Sequence, residues 1–198
     1  MASSPSSPQP SPAVEPLAAA AARTIALQML EERGRGAVLV GVARVDAALE
    51  HLLQAVMAPV ASRDDALFLP ERPLGSIGAK VALASRLGLI DAAVERALNA
   101  LRKLRNAFAH SAESASLSDP AHSSRLEAIY AEARANPLWG PLETALAAQP
   151  ADPHGGLDPA LRDYILLITI LVAFLEAAAQ QLRPFQPPVV MSFSGFSQ

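Results

Sequence analysis

The stretch DAAVERALNALRKLRNAFAH, residues 91–110, decides the fold. Its apolar residues Val94, Ala97, Leu98, Leu101, Leu104 and Phe108 recur every three or four positions, which puts them on one face of a helix. Asp91 is placed to cap the helix start, and no glycine or proline interrupts the run. The pattern repeats on both sides. Upstream, residues 36–57 carry the stripe Val38, Val42, Val45, Leu49, Leu52 and Val56. A short helix is predicted over 76–87, closed by Gly88, and another over 17–32, ended by Gly34-Arg35-Gly36. Residues 58–74 hold Pro59, Pro70 and Pro73 and read as a loop.

Downstream, a helix is predicted over 122–134. The segment 136–157, with Pro137, Pro141, Pro150, Pro153 and Gly155-Gly156, reads as mostly irregular. Asp158-Pro159 then opens a last helix over about 159–182, with proline in its first turn, and Pro184, Pro187 and Pro188 end it. Its run YILLITILVAFLEAAA, Tyr164 to Ala179, is shorter than the ~18 residues of a membrane span and contains Glu176, so it reads as a buried core helix. The expectation is an all-α bundle of about five or six helices, with the second, fourth and last at its centre. Residues 1–16 are Ser/Pro-rich and predicted to be disordered, residues 17–183 form one helical domain, and 184–198 are a loose tail.

Composition narrows the function classes. Hydrophobic residues make up 51% and aromatics 5%, so the core is aliphatic and alanine-rich. With no cysteine there is neither a disulfide framework nor a zinc-finger pattern, and a reducing cytoplasm fits. The start of the chain carries no charged, apolar leader. The net charge of −3 opposes broad wrapping on duplex DNA but leaves room for a local basic patch.

Three features stand out chemically. Arg105 falls about 40° from Leu101, inside the apolar stripe between Leu101 and Phe108, so its charge needs an anion: a carboxylate in a structural ion pair, or a phosphate. Asp46 and Glu50 are four residues apart on one helix face and repel unless a cation lies between them; Arg105 and Arg102 are candidates, and a solvated edge is the alternative. His110 ends the fourth helix, where the helix dipole favours a cation and imidazole suits acid–base work, although a lone histidine is usually just a surface side chain. Asn106 and His110 share a face. Arg105 and His110 are about 140° apart, so they serve one site only if the helix end unwinds or a second copy meets it. Gly75-x-x-Gly78-x-Lys80 lacks the phosphate-loop pattern. His51, His122 and His154 have no ligand spacing, so no metal or cofactor is expected. Neither a nucleophile-elbow serine nor a helix-turn-helix is evident.

Several stretches together resemble the mannitol operon repressor (MtlR-like) family: Arg35-Gly36-Ala37-Val38-Leu39-Val40, Val45-Asp46-Ala47-Ala48-Leu49-Glu50, Pro73-Leu74-Gly75-Ser76-Ile77-Gly78-Ala79-Lys80, Leu87-Gly88-Leu89-Ile90, and Leu101 to His110. The resemblance covers about residues 34–118. Arg105-Asn106-x-x-x-His110 also resembles the Arg-x4-6-His motif of the helical HEPN superfamily. That resemblance implies a dimer whose arginine and histidine line a cleft between protomers and, in many members, metal-independent RNA cleavage. It would make Arg105 the holder of the scissile phosphate, His110 the general acid or base while a ribose 2′-hydroxyl attacks, and Asn106 an orienting group. The tyrosine that some of these proteins carry two residues past the histidine is Ala112 here.

Three functions follow. One is a dimeric RNA-binding regulator or metal-independent endoribonuclease, which requires Arg105 and His110 to be exposed in one cleft. The second is a non-catalytic regulator acting through a protein partner, with Arg105 buried against Asp46 or Glu50 and His110 facing solvent alone. The third, direct sequence-specific DNA binding, is disfavoured by acidic charge and the missing recognition helix.

Overall fold

The computed structural model describes residues 14–60, 65–110, 115–147, 157–185, 191–192 and 195–196, without the side chains of 14–23, Arg33, 191–192 and 195–196. Of residues 1–16, expected to be disordered, 14–16 belong to α1 and 1–13 lie outside this set, as do Ala112 and His154. Among the described residues there are six α-helices: α1 Val14–Val56, α2 Ile77–Arg86, α3 Ala92–His110, α4 Pro120–Arg134, α5 Trp139–Ala147 and α6 Pro159–Gln181, with a 3-10 turn at Ala66–Phe68. The chain is all-α, as its periodicity predicts.

Helix α1 covers both of the first two predicted helices, but it is not straight. Gly34 has φ +44, a left-handed value that glycine adopts without steric cost. Arg44 Nη2 donates to Gln28 Oε1 at 2.6 Å across sixteen residues. On a straight helix those residues would stand roughly 24 Å apart along the axis. The chain therefore reverses at Gly34, where the sequence places its break, and residues 14–33 fold back on 35–56. The close pairing is seen again at Gly41, where an added Cβ would lie 3.0 Å from Met29 Cε and 3.0 Å from the Tyr164 hydroxyl.

Helix α6 lies at the centre. Leu161 and every residue from Asp163 to Val172 are buried, so it is apolar nearly all round, as expected of an enclosed helix. It runs parallel to the second arm of α1. Tyr164 Oη donates to the Val38 carbonyl at 3.0 Å, His51 Nδ1 lies 3.0 Å from Glu176 Oε1, and Phe185 N donates to the Val56 carbonyl at 2.7 Å. No described helix is long and apolar enough to cross a membrane.

The caps follow the sequence. Asp91 Oδ1 accepts from Val94 N at 2.8 Å, Ser76 Oγ accepts from Ala79 N at 3.3 Å, and Gly88, at φ +68, ends the turn after α2. Two expectations need correction. Within the segment 136–157, Trp139–Ala147 form α5 instead of irregular chain, and 148–156 lie outside the described residues; Pro141 sits in the first turn of α5, where the missing N–H costs no helical hydrogen bond. The C-terminal tail is not wholly loose, since Met191–Ser192 pairs antiparallel with Gly195–Phe196.

Candidate functional site

Helices α2 and α3 pack antiparallel. Ser85 Oγ donates to Glu95 Oε2 at 2.7 Å, and at the other end Gly78 faces Arg102, whose Cδ is 3.4 Å from where a glycine Cβ would sit. Helix α2 begins at Ile77, so the last two turns of α3 extend past it. Arg105, placed by its periodicity in the apolar stripe, is exposed. Its Nη1 donates to Asn106 Oδ1 at 3.4 Å, and among the described residues no carboxylate pairs with it.

The cation between Asp46 and Glu50 is real, but it is neither Arg105 nor Arg102. Lys80 Nζ donates to Glu50 Oε2 at 2.7 Å and lies 3.0 Å from Asp46 Oδ1. Asp46 Oδ1 is out of line for a hydrogen bond, so that contact is Coulombic. The lysine is buried, and the Phe68 ring lies 5.8 Å from its ammonium. Gly75 serves the same corner: a Cβ there would collide with the Leu69 and Pro70 carbonyls. The glycine–lysine segment dismissed as a phosphate loop is therefore a structural clasp between α1 and α2. Its signal was available, because Lys80 falls on the same helical face as Ile77, Val81 and Ala84.

Asn106 and His110 are both exposed. Helix α3 stays helical through His110, so the end does not unwind, and Arg105 and His110 diverge by about 140° within one copy. Arg35, just beyond the reversal at Gly34, donates through Nη2 to the Ala109 carbonyl at 2.8 Å and closes the C-terminus of α3. Sequence spacing could not place it, since the two residues are 74 apart in the chain.

These groups form one basic edge. From Arg96 to His110, α3 has four basic residues and a histidine but no acid. Arg96 is neutralised by Glu132 of α4 at 2.9 Å. Arg102, Lys103 and Arg105 have no ion pair among the described residues, and Arg102 Nε is buried without a hydrogen bond. Such an edge on a chain of net charge −3 can hold phosphate oxygens through forked guanidinium donors.

A second polar cluster lies at the far end of α4. Asp163 is buried and accepts from Arg134 Nη2 at 2.6 Å and from Arg162 Nε at 2.9 Å. The Tyr130 hydroxyl is buried there without a hydrogen bond; burial, then the Asp163 charge, pushes its pKa well above the usual tyrosine value. Every charge in the cluster has an opposite partner, and the cluster reads as a core anchor. No protein-family model, curated protein or solved structure matches this chain.

Proposed function

We propose that this protein is a cytoplasmic, dimeric RNA-binding regulator of the mannitol operon repressor type, with a metal-independent endoribonuclease site at Arg105, Asn106 and His110. The observation that carries this is the exposure of Arg105 beside Asn106, free of the carboxylates that a structural role would give it. Asp46 and Glu50 take their counter-charge from Lys80 instead, which removes the main support for the purely structural alternative.

In this mechanism Arg105 forks onto the scissile phosphate and offsets the charge that builds there. The imidazole of His110 moves a proton as the ribose 2′-hydroxyl attacks the phosphorus and the 5′-oxygen leaves, giving a 2′,3′-cyclic phosphate. Asn106, bonded to Arg105, holds the guanidinium in position. Because Arg105 and His110 diverge on one helix, the working site joins Arg105 of one copy to His110 of a second. A non-catalytic regulator working through a protein partner is what remains if no such dimer forms.

The deciding experiment is incubation of the purified protein with a mixed RNA pool in EDTA, beside His110→Ala and Arg105→Ala. Cleavage that leaves cyclic phosphate ends and is lost in both variants is the expected result. An intact RNA pool after treatment with folded, dimeric wild type would rule out the ribonuclease.

A further inference from the structure

We propose that Lys103 of α3 and Arg125 of α4 form a second phosphate-binding pair. An RNA strand would then run from Arg105 across the outer face of α3 into the groove between α3 and α4. This rests on the RNA-binding reading above and adds to it the path of the strand.

The two helices are antiparallel. Arg96 meets Glu132 near one end, and the ring of His122 lies 5.1 Å from that of Phe108 near the other. Between them is an open groove lined by Ala100, Lys103 and Arg125. Both basic side chains are exposed, and neither has an ion pair among the described residues. Elsewhere α4 sets opposite charges together: Arg96 with Glu132, and Arg134 with Glu127, each at 2.9 Å. In the groove it sets like charges, which repel unless an anion lies between them. Ala100 supplies a small floor that leaves space for one.

The helical geometry makes this groove continuous with the proposed catalytic edge. Lys103 and His110 are seven residues apart, hence within about 20° of each other on the outer face of α3. Moving around α3 from α2 toward α4, the polar groups are exposed Arg105, half-buried Arg102, and exposed Asn106, His110 and Lys103, with Arg125 across the groove. A polyanion with regularly spaced charges can touch all of them, and that continuity favours RNA over an acidic protein segment.

The test is fluorescence anisotropy of a labelled single-stranded oligouridine, titrated with full-length protein over a range of NaCl. Wild type is compared with Arg105→Ala and with the double variant Lys103→Ala/Arg125→Ala. Binding by the double variant should be about tenfold weaker at moderate salt, and its salt slope shallower by roughly 1.4, for two lost single-strand phosphate contacts. Both positions are exposed, so thermal unfolding of the double variant should match wild type. If wild type binds and Arg105→Ala weakens it while the double variant equals wild type, the second pair is wrong and the RNA-binding reading stands. If wild type does not bind the RNA, both fall. Binding of polyglutamate but not RNA, lost in the double variant, would assign the groove to an acidic protein and overturn the proposal.

Discussion

Lys80 donates to Glu50 at 2.7 Å from within the core, so one buried ammonium on α2 ties down a carboxylate on α1. Asp46, one turn earlier, shares the same charge at 3.0 Å. Lys80→Ala leaves two neighbouring carboxylates unpaired. Removing one partner of a fully buried pair costs about 3–5 kcal/mol. Here the carboxylate side chains are 33% and 30% exposed, so water screens part of that. We expect a loss of about 2 kcal/mol in urea unfolding and a smaller loss for Glu50→Gln. A Lys80→Ala protein as stable as wild type would show that the clasp contributes nothing.

The reversal at Gly34 and the close approach at Gly41 should respond differently to alanine. At Gly34 nothing lies within 4 Å of an added Cβ, but φ is +44, so Gly34→Ala should cost about 1 kcal/mol through backbone strain alone. At Gly41 the backbone is ordinary helix, and alanine gains about 1 kcal/mol of helix propensity. That gain is set against contacts of 3.0, 3.0 and 3.1 Å to Met29, Tyr164 and Ile168. Met29 can swing away, whereas the Tyr164 hydroxyl is held by the Val38 carbonyl, so overpacking should win and Gly41→Ala should lower stability by about 1 kcal/mol. Chemical denaturation of both variants checks the pair.

Alkali should unfold this protein through its two tyrosines. Burial raises the pKa of both Tyr130 and Tyr164 well above the ordinary value. An unfolded tyrosine ionises near pH 10. The stabilisation from keeping both neutral is therefore complete below about pH 10 and is lost as pH rises above it, at about 1.4 kcal/mol per pH unit for each. The Tyr130 hydroxyl has no hydrogen bond, so Tyr130→Phe should be neutral or mildly stabilising at pH 7 and should flatten the alkaline loss. Stability measured from pH 9 upward decides it; an unchanged slope in the variant would contradict the assignment.

Removal of Arg105 or His110 should separate function from folding. Both side chains are exposed, so alanine at either position should change stability by no more than about 0.5 kcal/mol. Loss of a general acid or base should slow RNA cleavage by about 100-fold or more. A large fall in melting temperature for Arg105→Ala would point instead to a structural arginine.

Asp91, Ser76, Gly88 and Asp158 act as local signals and mark helix ends correctly, because a cap depends on residues within a turn of itself. The break at Gly34 was legible for the same reason. Pro141 misled, because a proline that ends a helix and one that starts it look alike without a neighbour to define the first turn.

The sequence by itself determined an all-α chain, most of its helices, and the last one as a buried core helix, since period and capping are local properties. It also marked Asp46 and Glu50 as a pair that repels unless a cation lies between them, with a solvated edge as the alternative. Which cation reaches them was decided only by tertiary structure. Arg105 and Lys80 both fall on apolar stripes of their helices, yet the packing of α2 against α1 buries Lys80 beside two carboxylates, whereas Arg105 is exposed. Arg35 on the end of α3, and Arg125 across from Lys103, depend on the same long-range packing, which no spacing along the chain encodes.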